Sequence, residues 1–367
     1  MAIRVFLSHQ VNSLCSLYSV SIITNMRGKE NFLDNISDEV KIIDLPIKRN
    51  INLIYDFYVL FLLILFLRKN KFSLVHSISP KAGLLCAISA FIVRVPNRVH
   101  TFTGQVWVTK KGVRRWFLKL LDKLIIKLNT LTLIDSLSQK EFLVNENLIS
   151  EENGLVLGRG SLSGVDLQRF KPSIIERDSL RKKLNISSDD VVFLFVGRVK
   201  KDKGIFELVR AFKNISKKYT NTVLLIVGPD EDNLSSELTD ILDLSIKHTR
   251  FIDFTKSPEV YMMASDIFVI PSYREGFGSV VIESASCGIP SIGSNIYGLS
   301  DAIKDGKTGI LVPVRSEISL EEAMIKLLND DDLRLKMGNM ARYNAQENFS
   351  QDMLTLLLMD LYKSIMK

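Results

Sequence analysis

Two carboxylates, Glu275 and Glu283, bracket the glycine-rich segment Glu275-Gly276-Phe277-Gly278-Ser279-Val280-Val281-Ile282-Glu283. An apolar run ending at Ile270-Pro271 precedes it, and Cys287-Gly288-Ile289-Pro290 follows. The run reads as a buried parallel strand, and the Gly-x-Pro signal reads as the end of a helix. A strand, a small-residue turn and a helix N-terminus together make an anion site from backbone N–H groups and the helix dipole. Glu283 falls about one turn inside that helix, where side chains lean back toward the N-terminus. Both acids can therefore face a ligand held over the turn. Amides for phosphates and carboxylates for hydroxyls suit a phosphorylated, polyhydroxylated molecule. The competing reading is a surface loop with two solvated acids.

A second constellation lies upstream, in Phe195-Val196-Gly197-Arg198-Val199-Lys200-Lys201-Asp202-Lys203-Gly204. It sits between an expected strand and an expected helix start. The Arg198 guanidinium can fork onto phosphate oxygens, and Lys203 adds a point charge at the helix N-terminus. A solvated lysine-rich turn is the alternative. Asp330-Asp331-Asp332 fits the acidic start of a helix, and no Asp-x-Asp pair stands where it would hold a metal.

The elements that must position these residues alternate. Strands are expected at Val191–Val196, Thr222–Val227, Arg250–Phe254, Ile267–Ile270 and Pro290–Gly293, with helices at Gly204–Lys218, Leu234–Lys247 and Pro258–Ala264. Such repetition predicts a parallel sheet covered on both faces, with ligands beyond the carboxyl ends of its strands. Upstream, Val40–Leu45, Ser73–His76, Arg98–Thr101 and Thr132–Ile134 read as strands, and helices are expected near Asn52–Arg68, Ala82–Val93 and Lys111–Leu128. Too few residues separate Ile3–Leu7 from Ser19–Thr24 for a parallel crossover. Leu7, Val11, Leu14 and Tyr18 share a helical face, so residues 3–18 are read as a helix. A first strand of that domain is then missing, as a truncated gene or misplaced start would leave it. A linker is expected at 163–172, and a last helix over Gln351–Met366.

The 367 residues, 46% hydrophobic, suffice for two α/β domains with large cores. Three scattered cysteines, Cys15, Cys86 and Cys287, form neither a metal pattern nor a disulfide framework, which fits a reducing cytoplasm. No secretory signal is visible. Residues 1–170 carry 22 Lys/Arg against 13 Asp/Glu, whereas residues 171–367 carry 26 against 28, so the net charge of +7 resides in the first half. No nucleic-acid motif accompanies that charge, and a membrane surface or phosphate-bearing lipid is the expected partner. Segment 110–128 is basic and amphipathic, with Trp116-Phe117 near its start, and reads as an interfacial helix or as a domain helix with a solvated basic face. Val59–Leu67 is apolar throughout but too short to span a bilayer. Burial against a sheet is the expected fate; dipping into the membrane is the alternative.

In the form EGFGSVVIESASCGIP the glutamate motif resembles the signature of the retaining, GT-B-fold glycosyltransferases of family 4, and Gly197-Arg198…Lys203 matches their diphosphate-binding segment. The resemblance runs from about residue 70 onward. It implies two facing Rossmann-like domains: 1–166 for the acceptor, 172–348 for the nucleotide-sugar donor, and a helix 349–367 that packs back onto the first. Arg198 and Lys203 would hold the diphosphate, Glu283 the ribose and Glu275 the transferred sugar, giving Arg198, Lys203 and Glu275 the catalytic roles. Backbone from Gly276, Phe277, Gly278, Ser279 and Val280 would complete the donor site beside Gly197. The base would lie near Gly228-Pro229 and Phe251–Phe254. The segments Val75–Gly83, Val99–Trp107 and Leu157–Asp166 resemble members that build surface polysaccharides. On them His76, Lys81, His100, Thr103 and Gly104 are acceptor-side candidates, although many relatives carry histidine where Thr103 stands. The implied activity is metal-independent and cofactor-free transfer from a nucleotide-sugar, UDP-linked rather than GDP-linked. The implied acceptor is a lipid-linked oligosaccharide in O-antigen or capsule assembly, at the cytoplasmic face of the membrane. A binding partner that has lost turnover is the rival reading.

Overall fold

The computed structural model describes residues 7–26, 35–48 and 52–366. The chain divides into one unit of residues 1–164 and 351–367 and a second of 165–350. In chain order the first unit holds α1 (Ser8–Cys15), β1 (Ser21–Thr24), β2 (Lys41–Asp44), α2 (Leu53–Asn70), β3 (Leu74–Ser77), α3 (Pro80–Val93), β4 (Asn97–Phe102), α4 (Gly112–Leu128), β5 (Leu131–Ile134) and α5 (Leu137–Asn145). The second unit starts with α6 (Ile174–Lys183), β6 (Val191–Val196), α7 (Ile205–Lys218), β7 (Thr222–Val227), α8 (Ser235–Leu242), β8 (Thr249–Ile252) and α9 (Pro258–Met263). It continues through β9 (Ile267–Ile270), α10 (Ser279–Ser286), β10 (Ser291–Ser294), α11 (Leu299–Ala302), β11 (Gly309–Val312), α12 (Glu317–Asn329) and α13 (Asp331–Asn348). The last helix, α14 (Gln351–Ile365), returns to the first unit and packs on α1.

The second unit is a six-stranded parallel sheet in the order β11-β10-β9-β6-β7-β8. Its central strands are continuous runs of branched and aromatic residues, as burial on both faces requires. Phe193 and Phe195 of β6 enter one core with Leu208, Phe212 and Ile215 of α7, while Val192 and Leu194 enter the other with Phe277 and Ile282. Each fully buried side chain of this size contributes about 1.5–3 kcal/mol, so the platform beneath the loops is rigid. The acids at 330–332 open a helix as expected: the Asp330 side chain accepts the Leu333 N–H at 2.8 Å.

The first unit carries its parallel strands in two ladders, β1-β2 and β3-β4-β5. Of the helix expected over 3–18, the structure has Ser8–Cys15 as α1 and a turn at 16–18; residues 3–6 lie outside the described residues.

Three expectations change. The helix expected over 234–247 stops at Leu242, because Asp243 turns to φ 50° and the chain continues as a 3-10 turn through His248. β11 has no counterpart among the expected strands: four residues between a turn and Pro313 are too short a signal. The apolar run of α2, expected to be buried, buries only Val59, Leu63 and Leu67, and its other face is exposed. Among the described residues no helix is long and apolar enough to cross a membrane.

Candidate functional site

The strand order of the second unit reverses between β6 and β9. From β6 the chain steps outward to β7 and β8, then crosses back to β9 and continues through β10 and β11 on the other side. Loops after the two strands at such a point diverge and leave a crevice for a ligand. Here the β6 loop carries Arg198 and Lys203, and the β9 loop carries Glu275 through Gly278.

Gly204 brings these loops into contact, and Gly228 brings the loop after β7 against the loop after β6. Gly204 lies at φ 68°, and a Cβ there would sit 2.1 Å from the Pro271 carbonyl oxygen. Gly228, at φ 141°, passes so close to Gly197 that a Cβ would sit 1.9 Å from its carbonyl oxygen. No other residue fits either place. Lys203, in the 3-10 turn Lys201–Lys203 ahead of α7, thereby reaches Glu275, with Nζ 2.5 Å from Oε1. The Tyr273 N–H donates to the Asp202 carbonyl at 2.9 Å, and Arg274 pairs with the Asp202 carboxylate at 3.1 Å. The Tyr273 hydroxyl donates to Glu207 at 2.6 Å beneath the Arg315 guanidinium. Burial, with that acceptor, pushes the Tyr273 phenol up to about 12.

Arg198 is held by Glu231 at 3.2 Å, and Lys200 by Glu231 at 3.4 Å and Asp232 at 3.1 Å. The site thus presents its cations on carboxylate partners that an anionic ligand can replace. Beside them, Gly278 caps α10 at φ 83°. Phe277 is buried against Phe349 with ring centroids 5.1 Å apart and anchors the turn, leaving Ser279 and Val280 half-exposed at the helix start. Glu283 is buried. Desolvation pushes its carboxyl up to about 7, with Glu259 adding and Arg169 opposing; those two pair with each other at 2.7 Å. A buried carboxyl so poised becomes a strong acceptor once hydroxyl donors reach it.

In the first unit the candidates separate. His76, near the carboxyl end of β3, uses both ring nitrogens: Nδ1 lies 2.5 Å from the Tyr362 hydroxyl and Nε2 2.7 Å from Thr101 Oγ1. Burial lowers its pKa to about 4, so the ring is neutral, with one nitrogen donating and the other accepting. It forms part of the wall of a small recess shared with Gln10, Thr101, Asp135, Ser161 and Leu358. His100 is fully buried beneath α3, bonded to Ser77 at 2.8 Å and tight against Gly83. Lys81 pairs with Asp56 of α2 at 2.5 Å. Thr103 and Gly104 stand in the loop after β4, where Gly104 adopts φ 97°. Among the described residues no cluster of metal-ligating side chains is found.

Sequence reasoning missed several participants. Glu231 and Asp232 were legible in principle, since an acidic run directly after the Gly228-Pro229 strand end must face the same crevice. Arg169 and Glu259 had no local signal, and Tyr362 reaches His76 across 286 residues of sequence.

The chain matches the family described as glycosyl transferases group 1 over residues 176–344. It is 33% identical over 347 residues to the capsular polysaccharide biosynthesis glycosyltransferase CapM of Staphylococcus aureus, covering 94% of this chain and 90% of that one. It is 29% identical over 311 residues to the UDP-Gal:alpha-D-GlcNAc-diphosphoundecaprenol alpha-1,3-galactosyltransferase of Escherichia coli, covering 83% and 79%. Among solved structures it superimposes on sucrose-phosphate synthase from Thermosynechococcus elongatus with a TM-score of 0.82 at 23% identity, covering 97% of this chain and 92% of that one. Anabaena HepE in complex with UDP and glucose gives a TM-score of 0.75 at 17% identity, covering 91% and 89%. The shared architecture is the GT-B fold.

Proposed function

The chain belongs to the group 1 glycosyl transferases, and from that premise we propose a retaining, family 4 enzyme that moves a sugar from a UDP-sugar to a lipid-linked oligosaccharide. The observation that carries this reading is the Lys203–Glu275 pair across the switch point, with Arg198 and the N-terminus of α10 around it. A diphosphate would exchange with the carboxylates on Arg198 and Lys203. Freed by that exchange, Glu275 would accept hydroxyls of the transferred sugar. Glu283 would take the ribose. The named donor and lipid-linked acceptor of the E. coli relative, and the capsular role of the S. aureus one, favour a UDP-sugar and surface polysaccharide assembly.

No protein nucleophile is required. The acceptor hydroxyl would attack from the leaving-group side, and a donor phosphate oxygen would take its proton. Arg198, Lys203 and the α10 amides would stabilise the departing diphosphate, a role that the residues fill with no resident metal or cofactor. The acceptor would enter beyond the carboxyl ends of β3, β4 and β5, near Thr103 and Gly104. His76 would hold the wall there through Tyr362 and Thr101. The setting proposed is the cytoplasmic membrane surface, with segment 110–128 in contact.

Calorimetric titration with UDP, and with GDP for comparison, tests the donor assignment. Selective UDP binding followed by sugar transfer to a polyprenyl-diphosphate saccharide is the expected result. A folded protein that binds neither nucleotide would overturn the reading. Binding without transfer would favour a partner that has lost turnover.

A further inference from the structure

Ser286 lies one turn after Glu283 on α10, so the two share a face of that helix. The Ser286 hydroxyl donates to the Phe170 carbonyl at 2.5 Å, and the Phe170 ring enters the same core as Phe277, Val281 and Ile282. Arg169, the residue before Phe170, is thereby carried to the Glu283 side of α10. Its own backbone is fixed, because Asp166 Oδ1 accepts the N–H groups of Gln168 and Arg169 at 2.9 and 3.1 Å. From there the guanidinium reaches the chain between β8 and α9. Arg169 Nη2 donates to the Lys256 carbonyl and to Glu259 Oε2, each at 2.7 Å. Glu259 stands in the first turn of α9, and Met262 of that helix enters the same core again. One side chain thus joins the segment ahead of α6, the start of α9 and the face of α10 that holds Glu283.

We propose that Arg169 and Glu259 are positioning residues for Glu283: by tying the start of α9 to the α10 face, they hold its carboxyl ready for a hydroxyl of the incoming nucleotide. This deepens the donor reading and rests on Glu283 taking the ribose.

The electrostatics follow the same geometry. Burial raises the Glu283 carboxyl first of all; after it, the Arg169 cation favours the ionised form and the Glu259 carboxylate opposes it. Arg169 gives its hydrogen bonds to Glu259 and Lys256 rather than to Glu283. It therefore favours the charged Glu283 without closing on it, and the carboxyl stays open to a ligand. Of the other side chains on the elements packed against α10, α9 adds Tyr261, α11 carries Asp301, and Arg342 of α13 acts on Cys287; β9 and β10 carry no ionisable group.

A double-mutant cycle on the full chain tests the proposal. Arg169→Gln and Glu259→Gln are each made alone and together with Glu283→Gln, and Tm is read at pH 8. The gap between each chain and its Glu283→Gln counterpart reports the burden of the buried charge. Arg169→Gln should widen that gap and Glu259→Gln should narrow it, because the cation is lost in one and the competing anion in the other. A pair that merely braces the fold would lower Tm in both variants and leave both gaps equal to that of wild type, which would overturn the proposal. Calorimetry with UDP at pH 8 gives the second reading. Arg169→Gln should weaken UDP about tenfold, the usual loss for one charged hydrogen bond, but should add little in a chain that already carries Glu283→Gln. Arg169→Lys keeps the charge without the fork, so it should leave the Tm gap near wild type and still weaken UDP. Losses of UDP affinity that simply add, with Glu283 or without it, would also overturn the proposal. Opposite movements of the two gaps in a protein that binds no UDP would instead break the donor reading and leave the coupling of the pair to Glu283 standing.

Discussion

Lys203 and Glu275, 72 residues apart, meet at 2.5 Å where the strand order of the second unit reverses. Neither residue can reach the other unless β6 and β9 are neighbours and Gly204 lets Pro271 approach. The pair is therefore a product of topology, and it ties the loop after β6 to the loop after β9.

Lys203→Ala should lower single-turnover transfer from a UDP-sugar by about 10²–10³-fold, the usual loss for one preorganised donor to developing charge. It also leaves a poorly exposed carboxylate without its cation, which costs about 1.5–3 kcal/mol of stability. Glu275→Gln should lose transfer as well but retain most UDP affinity, because the role proposed for it is on the sugar. Transfer at the wild-type rate in either variant would break the assignment.

Glu283 gives a pH signature. Its carboxyl lies near 7 in the folded chain, against an ordinary 4.5, chiefly through burial. The folded state thus binds the proton more tightly than the unfolded one. The stabilisation from that proton is complete below about pH 4.5 and is lost as pH rises through 7, an effect of about 3 kcal/mol in all. Glu283→Gln should match wild type in Tm near pH 5, exceed it at pH 8, and bind UDP more weakly. Wild type should release a proton on binding UDP near pH 6.5, visible as a dependence of calorimetric heat on buffer ionisation enthalpy. Parallel Tm profiles for the two proteins would show that Glu283 is ionised in the folded state.

Much of this was legible in the sequence, for reasons particular residues make plain. Val191–Val196 and Ile267–Ile270 are buried on both faces and read as unbroken apolar runs, so their identity as parallel strands needed no tertiary information. The glycine-rich turn before α10 and the Arg198–Lys203 loop fell at strand ends, which located the site. What stayed hidden depends on distance in sequence. Nothing near His76 announces Tyr362, which reaches it across 286 residues, and nothing near Glu283 announces Arg169 or Glu259. Exposure is equally non-local. Val59–Leu67 is apolar on every side, and only tertiary packing, against α3 and residues such as Leu45 and Val95, decides that Leu63 is buried while Phe61 is not.

Gly204→Ala probes the geometry beneath the pair. The new methyl would meet backbone, the Pro271 carbonyl, which has no rotamer to yield. The left-handed conformation adds about 1–3 kcal/mol of strain for a residue with a side chain. A drop in Tm together with loss of UDP binding is expected. By contrast Gly306→Ala, also at positive φ (70°) but with open space around it, should lower Tm slightly and leave UDP binding intact. Equal loss of binding in both would mean that the Gly204–Pro271 contact is incidental to the site.

His76 separates a structural role from a contact with the acceptor. Its neutral ring is clamped between Tyr362 and Thr101, so Tyr362→Phe leaves a buried ring nitrogen without its partner and should cost about 1–3 kcal/mol. If the histidine only holds the wall of the recess, His76→Gln and Tyr362→Phe will lower Tm together. Acceptor KM, measured well below both melting points, will then stay near wild type. If the histidine contacts the acceptor, His76→Gln will raise acceptor KM while Tyr362→Phe, which retains the imidazole, will change stability alone. The clamp on both nitrogens leaves no free donor or acceptor on the ring, and the parallel outcome is therefore the expected one.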